Sequence, residues 1–229
     1  MSFKRPISPE WLTLMRSRLT DRLLITDGVS KNLHNVKTGR KRAAVLVPLC
    51  NRYGQSSLLF TLRTQSVGSH KGQVSFPGGH IEENESAVDA ALREMHEELG
   101  IPSNKVTVLG EAQTVVAITG TLVTPIIGFI HDDLGDFDNG LIQPSRSEVE
   151  RVFTRTIDHL LLPGIRSTEM LTRPVAPSGQ PSHQQVEMPA FGPKGDPERI
   201  WGLTAMILDA VLHRLVLPTC IDNTVSVTH

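Results

Sequence analysis

The sequence predicts a mixed α/β sandwich, and three observations predict it. Short segments rich in Val, Ile, Leu and Thr lie on both sides of one strongly patterned helix. A second helical stretch recurs near the end of the chain. The 229 residues, 39% of them hydrophobic, suffice for one core and so for one domain with extensions.

Taken along the chain, Ser8, Pro9 and Glu10 read as a helix start, with Ser8 as cap and Pro9 at the first helical position. Trp11, Leu12, Met15, Leu19 and Leu23 then make an apolar stripe, so residues 1–36 are expected to form a docked helical extension. A basic linker around 37–42 leads into a single domain, 37–229. Its strand candidates are 43–48, 57–63, the short extended 74–76, 105–111, 114–118, 124–130 and 148–154. Residues 158–162 read as a short helix that Pro163 and Gly164 end. Between 166 and 199 the prolines, from Pro174 to Pro197, predict a long loop or an irregular hairpin. Helical periodicity returns over 200–217 through Leu203, Met206, Ile207, Ala210, Val211 and Leu215.

The helix predicted at 86–99 is the most informative element. Val88, Ala91, Leu92, Met95 and Leu99 recur at spacings of three and four and give one apolar face. Gly100 is a natural stop, and Pro102 cannot continue a helix. Glu94, Glu97 and Glu98 stand at i, i+3 and i+4, so their carboxylates crowd one face. They also occupy the last turns, where the macrodipole is negative and a cation would stabilise. Glu82, Glu83 and Glu85, near the helix start, obey the dipole rule.

A solvated acidic face is the commoner reading of charges at this spacing. Here a local rule is broken without visible compensation, which marks a functional site, and the missing compensation is cationic. Hard oxygen ligands suit Mg²⁺ or Mn²⁺. Arg93 is placed to pair with Glu97 and steady the carboxylates. Gly79, ahead of the helix, lets backbone approach a ligand closely and offers its carbonyl as a further metal contact.

Residues 79–101 read GHIEENESAVDAALREMHEELGI, which fits G-x5-E-x7-R-E-U-x-E-E-x-G-U with U a bulky aliphatic residue. From average residue usage, chance would give this match with odds on the order of 10⁻⁷. The one soft position is Met95, where Leu, Ile or Val is usual. The pattern resembles the signature of the Nudix hydrolases, which use Mg²⁺ to cleave nucleoside diphosphates linked to another group. The resemblance implies an α/β/α sandwich with a mixed sheet and a catalytic helix after a Gly-rich turn, here with extra N- and C-terminal helices. It also implies Mg²⁺ or Mn²⁺ on Glu94, Glu97, Glu98 and Gly79. An acidic residue from a late loop is expected near the metals as ligand or base, and Glu148 is the candidate. The catalytic set is then Glu94, Glu97, Glu98, Arg93 and Glu148.

The residues before this box read LFTLRTQSVGSHKGQVSFPGG over 59–79. They resemble the motif of the coenzyme A diphosphatase branch, L-L-T-x-R-S-x3-R-x3-G-x3-F-P-G-G. The match holds at Leu59, Thr61, Arg63, Gly72, Phe76, Pro77, Gly78 and Gly79 and departs at Phe60, Thr64 and Gly68. Arg63, His70, Lys71, Gly78 and Gly79 are the substrate-binding candidates, with Arg63 or Lys71 standing in for the arginine absent at Gly68. Residues 123–128 and 200–205 look like the same branch, so the resemblance runs from about 43 to 215. It implies hydrolysis of coenzyme A or an acyl-coenzyme A to 3′-phosphoadenosine 5′-phosphate and (acyl-)4′-phosphopantetheine. The alternatives are another nucleoside diphosphate derivative, such as ADP-ribose, a dinucleotide or a damaged nucleotide, or a non-catalytic nucleotide-binding module. A binder has no need of all three of Glu94, Glu97 and Glu98.

A net charge of −1 argues against nucleic acid as a partner, so the expected partner is a small nucleotide-type substrate. No membrane span is expected. Cys50 and Cys220 are far apart and read as buried or free thiols in a reducing compartment. The N-terminus lacks the apolar core of a secretory signal. Its Lys4, Arg5, Arg16, Arg18 and Arg22 resemble a mitochondrial transit peptide, interrupted by Glu10 and Asp21. The expected location is intracellular, in the cytoplasm first and the mitochondrion second.

Overall fold

Helix α1 (Pro9–Leu19) opens the chain, with the Ser8 hydroxyl accepting from Trp11 N–H at 3.3 Å. This computed structural model describes residues 4–19, 39–64, 72–137, 140–175 and 182–219. Strand β1 (Arg42–Arg52) turns through Tyr53 and Gly54, both at positive φ, into β2 (Gln55–Arg63). Two successive left-handed residues suit the twist of a tight hairpin. The pairing Cys50↔Ser57 to Arg52↔Gln55 carries β1 four residues beyond the predicted 43–48, into polar sequence that shows no apolar run.

The next elements are β3 (Val74–Ser75), β4 (Gly78–His80) and helix α2 (Ala87–Leu99). Then come β5 (Val106–Glu111), β6 (Val115–Val116), β7 (Leu122–Asp133), β8 (Val149–Thr156) and the single-turn α3 (Ile157–Leu160). Strands β1 to β8 form one mixed sheet in which β1 and β7 are parallel and the other pairs antiparallel. Beyond Leu58, β2 parts from β1, and two short strands fill the fork: β3 pairs with β2, and β4 with β1. The predicted strand at 114–118 shrinks to β6, because Ala117 and Thr121 close a turn that leaves Ile118 exposed.

Both faces of the sheet are covered, which explains the near-continuous apolar run of β1. One face packs Leu46, Leu59, Ile126 and Ile130 with Ala90, Ala91, Met95 and Leu99 of α2. Met95 is fully buried, so the soft position of the motif is a core position, and Met95→Ala would cost about 2–5 kcal/mol. The other face gathers Val47, Leu49, Phe60, Ile127 and Phe129 with Met15 of α1 and Ile207, Leu208, Val211 and Leu212 near the end of the chain. Phe60 stacks between Phe76 and Phe153, at 5.1 and 5.5 Å.

Of the long loop or irregular hairpin expected over 166–199, residues 166–191 take the hairpin, and it is regular. They form a regular ribbon, β9 (Arg166–Val175) against β10 (Ser182–Phe191), in register from Arg166↔Phe191 to Val175↔Ser182. A two-stranded ribbon has only edge strands, a setting that tolerates proline, so Pro174 and Pro189 did not forbid it. The closing helix α4 (Gly202–Ala210) starts after Trp201 and continues through a π-helical stretch, Val211–Val216. Among the described residues the helix Gly202–Thr219 alone is long and apolar enough to cross a membrane by length and composition. Half of it is buried inside the fold, the condition of a core helix. Leu23, Cys220 and the linker basics before Gly39 lie outside the described residues.

Candidate active site

The fork between β1 and β2 brings the acidic face of α2, the end of β2 and the loop before β8 together. Helix α2 is held at both ends. Ser86 Oγ accepts from Asp89 N–H at 3.1 Å, and Gly100, at φ 73°, donates to His96 O at 2.8 Å. Strand β4 delivers Gly78 and Gly79 against Val45 and Ala44. A Cβ on Gly79 would lie 2.1 Å from Glu94 Oε1, so only glycine lets that carboxylate rest on the backbone.

Glu98 is 1% exposed. Its Oε1 lies 3.4 Å from Arg63 Nη1, and its buried Oε2 meets no hydrogen-bond partner. Burial pushes its carboxyl up to about 8; Arg63 opposes this, Glu94 and Glu148 add to it, and the Gly78 N–H pulls it down. Glu94 is raised as well, first by burial, against Arg93 and with Glu97 and Glu148. Glu94, Glu98 and Glu148 thus act on one another, and Glu148 reaches them from a loop tied to α2 by Ser145 N–H on Glu98 O at 2.8 Å.

Glu97 differs from its neighbours. Its side chain is 54% exposed, and its partner is Arg93 Nη1 at 3.2 Å. It stands at the lip of the cluster. Arg93 binds chiefly elsewhere: Nε and Nη2 grip Glu85 at 2.8 and 3.1 Å, Nη2 also donates to His80 O at 3.0 Å, and Nη1 reaches Glu94 at 3.0 Å. Glu85 therefore anchors Arg93, a role that helical spacing does not reveal. Its signal in the sequence was its fixed place in the 79–101 pattern. His70, Lys71 and Gly68 lie outside the described residues.

The donor set fits a hard divalent cation. Three carboxylates repel one another, and one of their oxygens is buried without a partner. Among the described residues no group of three or more His, Cys, Asp or Glu side chains is gathered so as to hold a metal ion as they stand, so an ion would have to draw these carboxylates together. An open arrangement suits Mg²⁺, which keeps waters and takes substrate phosphates as ligands. A pocket of about 430 Å³ opens instead at the far end of β8, between Arg155, His159, Phe191 and Glu198. None of the acidic cluster lines it, and its Arg155 is already paired with Glu198, so this pocket stands apart from the acidic cluster.

Residues 40–169 match the family described as NUDIX domain. Over 175 residues the chain is 36% identical to the mitochondrial coenzyme A diphosphatase NUDT8 of Mus musculus, covering 76% of this chain and 77% of that protein. The Homo sapiens protein of the same name is 35% identical, over 76% of this chain and 69% of its own length. An uncharacterized Nudix hydrolase NudL of Escherichia coli (strain K12) is 42% identical over 114 residues, which is 49% of this chain and 56% of that one.

Proposed function

The chain belongs to the Nudix family, and from that premise we propose that this pyrophosphohydrolase cleaves the diphosphate bridge of coenzyme A or an acyl-coenzyme A. Water attacks one phosphorus, the bridging P–O bond breaks, and 3′-phosphoadenosine 5′-phosphate and (acyl-)4′-phosphopantetheine leave. The observation that carries the substrate reading is the similarity to two curated coenzyme A diphosphatases over 76% of the chain. The 59–79 motif supports it.

The family works with divalent metal ions, and for this chain we propose Mg²⁺ or Mn²⁺ on Glu94 and Glu98, with Glu97 at the lip and the Gly79 carbonyl beside them. When bound, the ion would lower the pKa of a water and stabilise charge on phosphoryl oxygens. The protein's own part is positioning and proton transfer. Glu148 or a glutamate of α2 accepts the proton of the attacking water; crowded carboxylates titrate as one set, so the proton belongs to the cluster. Arg93, gripped by Glu85, fixes the rotamer of Glu94. Arg63 donates to a phosphate oxygen, and His70 and Lys71 supply further contacts.

The test is a substrate screen with Mg²⁺ in which coenzyme A, ADP-ribose and a dinucleoside polyphosphate are followed by mass spectrometry. Coenzyme A should yield the two named products with the highest kcat/KM. Turnover of ADP-ribose with coenzyme A untouched would replace the substrate reading. An intracellular location accompanies the proposal, and fractionation decides between cytoplasm and the mitochondrion named for the two relatives.

A further inference from the structure

We propose that Arg63 is a displaceable counter-ion: it competes with the divalent cation for Glu98, and cation binding hands its guanidinium to the diphosphate of the substrate. The inference rests on the reading of the fork as a metal-dependent diphosphate site.

Four observations carry it. The Arg63–Glu98 contact, at 3.4 Å, is longer than the roughly 2.7–2.9 Å of a formed charge-assisted bond, so the pair is loosely made. It engages Oε1 alone and leaves Oε2 buried without a partner, so Arg63 does not complete the carboxylate's bonding. Its backbone is fixed on both sides, with Arg63 N–H on Gln73 O at 3.1 Å, Gly72 N–H on Arg63 O at 3.2 Å, and Val149 opposite in β8. Only the side chain is free to swing, and that side chain is 22% exposed.

Arg93 supplies the contrast. It is gripped by Glu85, the His80 carbonyl, Glu94 and Glu97 at once and has nothing left to give. Arg63 meets Glu98 with one of its five donors.

The charge balance sets the direction. Glu94, Glu98 and Glu148 act on one another around the one guanidinium of Arg63, so acidic groups outnumber the cation there, a poor setting for an anionic substrate. A divalent cation on Glu98 would offset that acidic excess, repel Arg63, and bring in a ligand whose paired oxygens suit a planar guanidinium. The two events are one coupled exchange, so metal affinity and diphosphate affinity should respond to Arg63 in opposite directions.

The experiment uses the full chain with Arg63→Ala, Arg63→Met and Arg63→Lys. It reads Mn²⁺ binding alone by calorimetry, then binding of the methylene-bridged analogue of ADP at saturating Mn²⁺. Removing the guanidinium should tighten Mn²⁺ by at least about fivefold, the low end of measured coupling between sites. It should weaken the analogue by about tenfold or more, the scale of one lost charge-assisted contact. Arg63→Lys should fall between, because a point charge loses the fork geometry. Arg63→Met keeps the aliphatic stem if the alanine variant does not fold.

Weaker Mn²⁺ binding in Arg63→Met overturns the proposal, since Arg63 would then build the metal site rather than compete for it. An unchanged analogue affinity overturns it equally. The analogue has neither pantetheine nor 3′-phosphate, so these results do not depend on the coenzyme A reading. If coenzyme A is not hydrolysed while the opposed shifts appear, the substrate reading fails and the counter-ion stands. Absence of Mn²⁺ binding to the unaltered protein overturns both.

Discussion

Two glutamates meet arginines beside the outer strands of the sheet, and they are held in opposite ways. Glu198 is bonded at both oxygens, Oε1 by Arg151 at 3.1 Å and Oε2 by Arg155. Glu98 has one long contact to Arg63, one buried oxygen with no partner, and two further carboxylates acting on it. The residue types are the same, and the balance differs. One cluster closes on itself and staples the segment before α4 to β8. The other is left short of positive charge in a place that water does not reach. Imbalance, not the presence of acid and base, distinguishes a site from a brace.

The largest break in that comparison comes from neutralising each glutamate. Glu98→Gln should cut kcat by at least about a hundredfold, the scale lost with a catalytic base or charge stabiliser, with an unchanged circular dichroism spectrum. Near-normal turnover would remove Glu98 from the chemistry.

Gly79→Ala comes next. The added Cβ falls within 2.1 Å of Glu94 Oε1, so the carboxylate must move by more than 1 Å, a displacement that can cost roughly a hundredfold. The loss should appear in kcat with only a small fall in Tm. A variant with full activity would mean that Glu94 acts from some other position.

Acidity sharpens the contrast further. Between about 4.5, the ordinary value, and about 8, the folded Glu98 holds a proton that the unfolded chain has released. Its contribution to stability is therefore complete below about 4.5 and lost as pH rises through about 8. In chelator, Tm should fall across that window, and Glu98→Gln should flatten the slope. A slope unchanged in Glu98→Gln would assign it to another group.

The smallest effect belongs to the closed cluster. Glu198→Gln should cost about 1 kcal/mol or less, read as a fall of a few degrees in Tm, and leave kcat within about twofold. A large loss of activity would join the two clusters into one site.

Legibility followed sequence distance. Helix α2, its caps and its acidic face are encoded within some fifteen residues, where spacing alone fixes which side chains share a face. The same spacing does not show that Glu97 is the exposed member of the three, since a helical face does not say which part of it meets the fork and which meets water. The grip of Glu85 on Arg93 depends on a loop folding back, which periodicity does not carry. Glu148 joins the cluster only because β8 pairs with β2, and a family resemblance, not the residues' own pattern, suggested it. Of the 59–79 motif, Leu59, Thr61 and Phe76 are buried and build the fork, whereas Arg63 brings a charge to it. The prolines left loop and hairpin both open over 166–199, and the regularity of the ribbon is not legible because proline is tolerated on edge strands.

The parallel pairing of β1 with β7 has a kinetic consequence. Ala43 sits opposite Val123, and everything from β2 to β6 must be looped out before the two strands meet. Loop-closure entropy is spent early and rewarded late, so the chain should fold slowly for its size. Until the sheet closes and β8 arrives, the α2 carboxylates stay hydrated and repel one another little. The strain of their crowding is then a property of the finished protein and absent from the rate-limiting state. A divalent cation should accordingly slow unfolding and leave the refolding rate almost unchanged, moving one arm of the chevron and not the other.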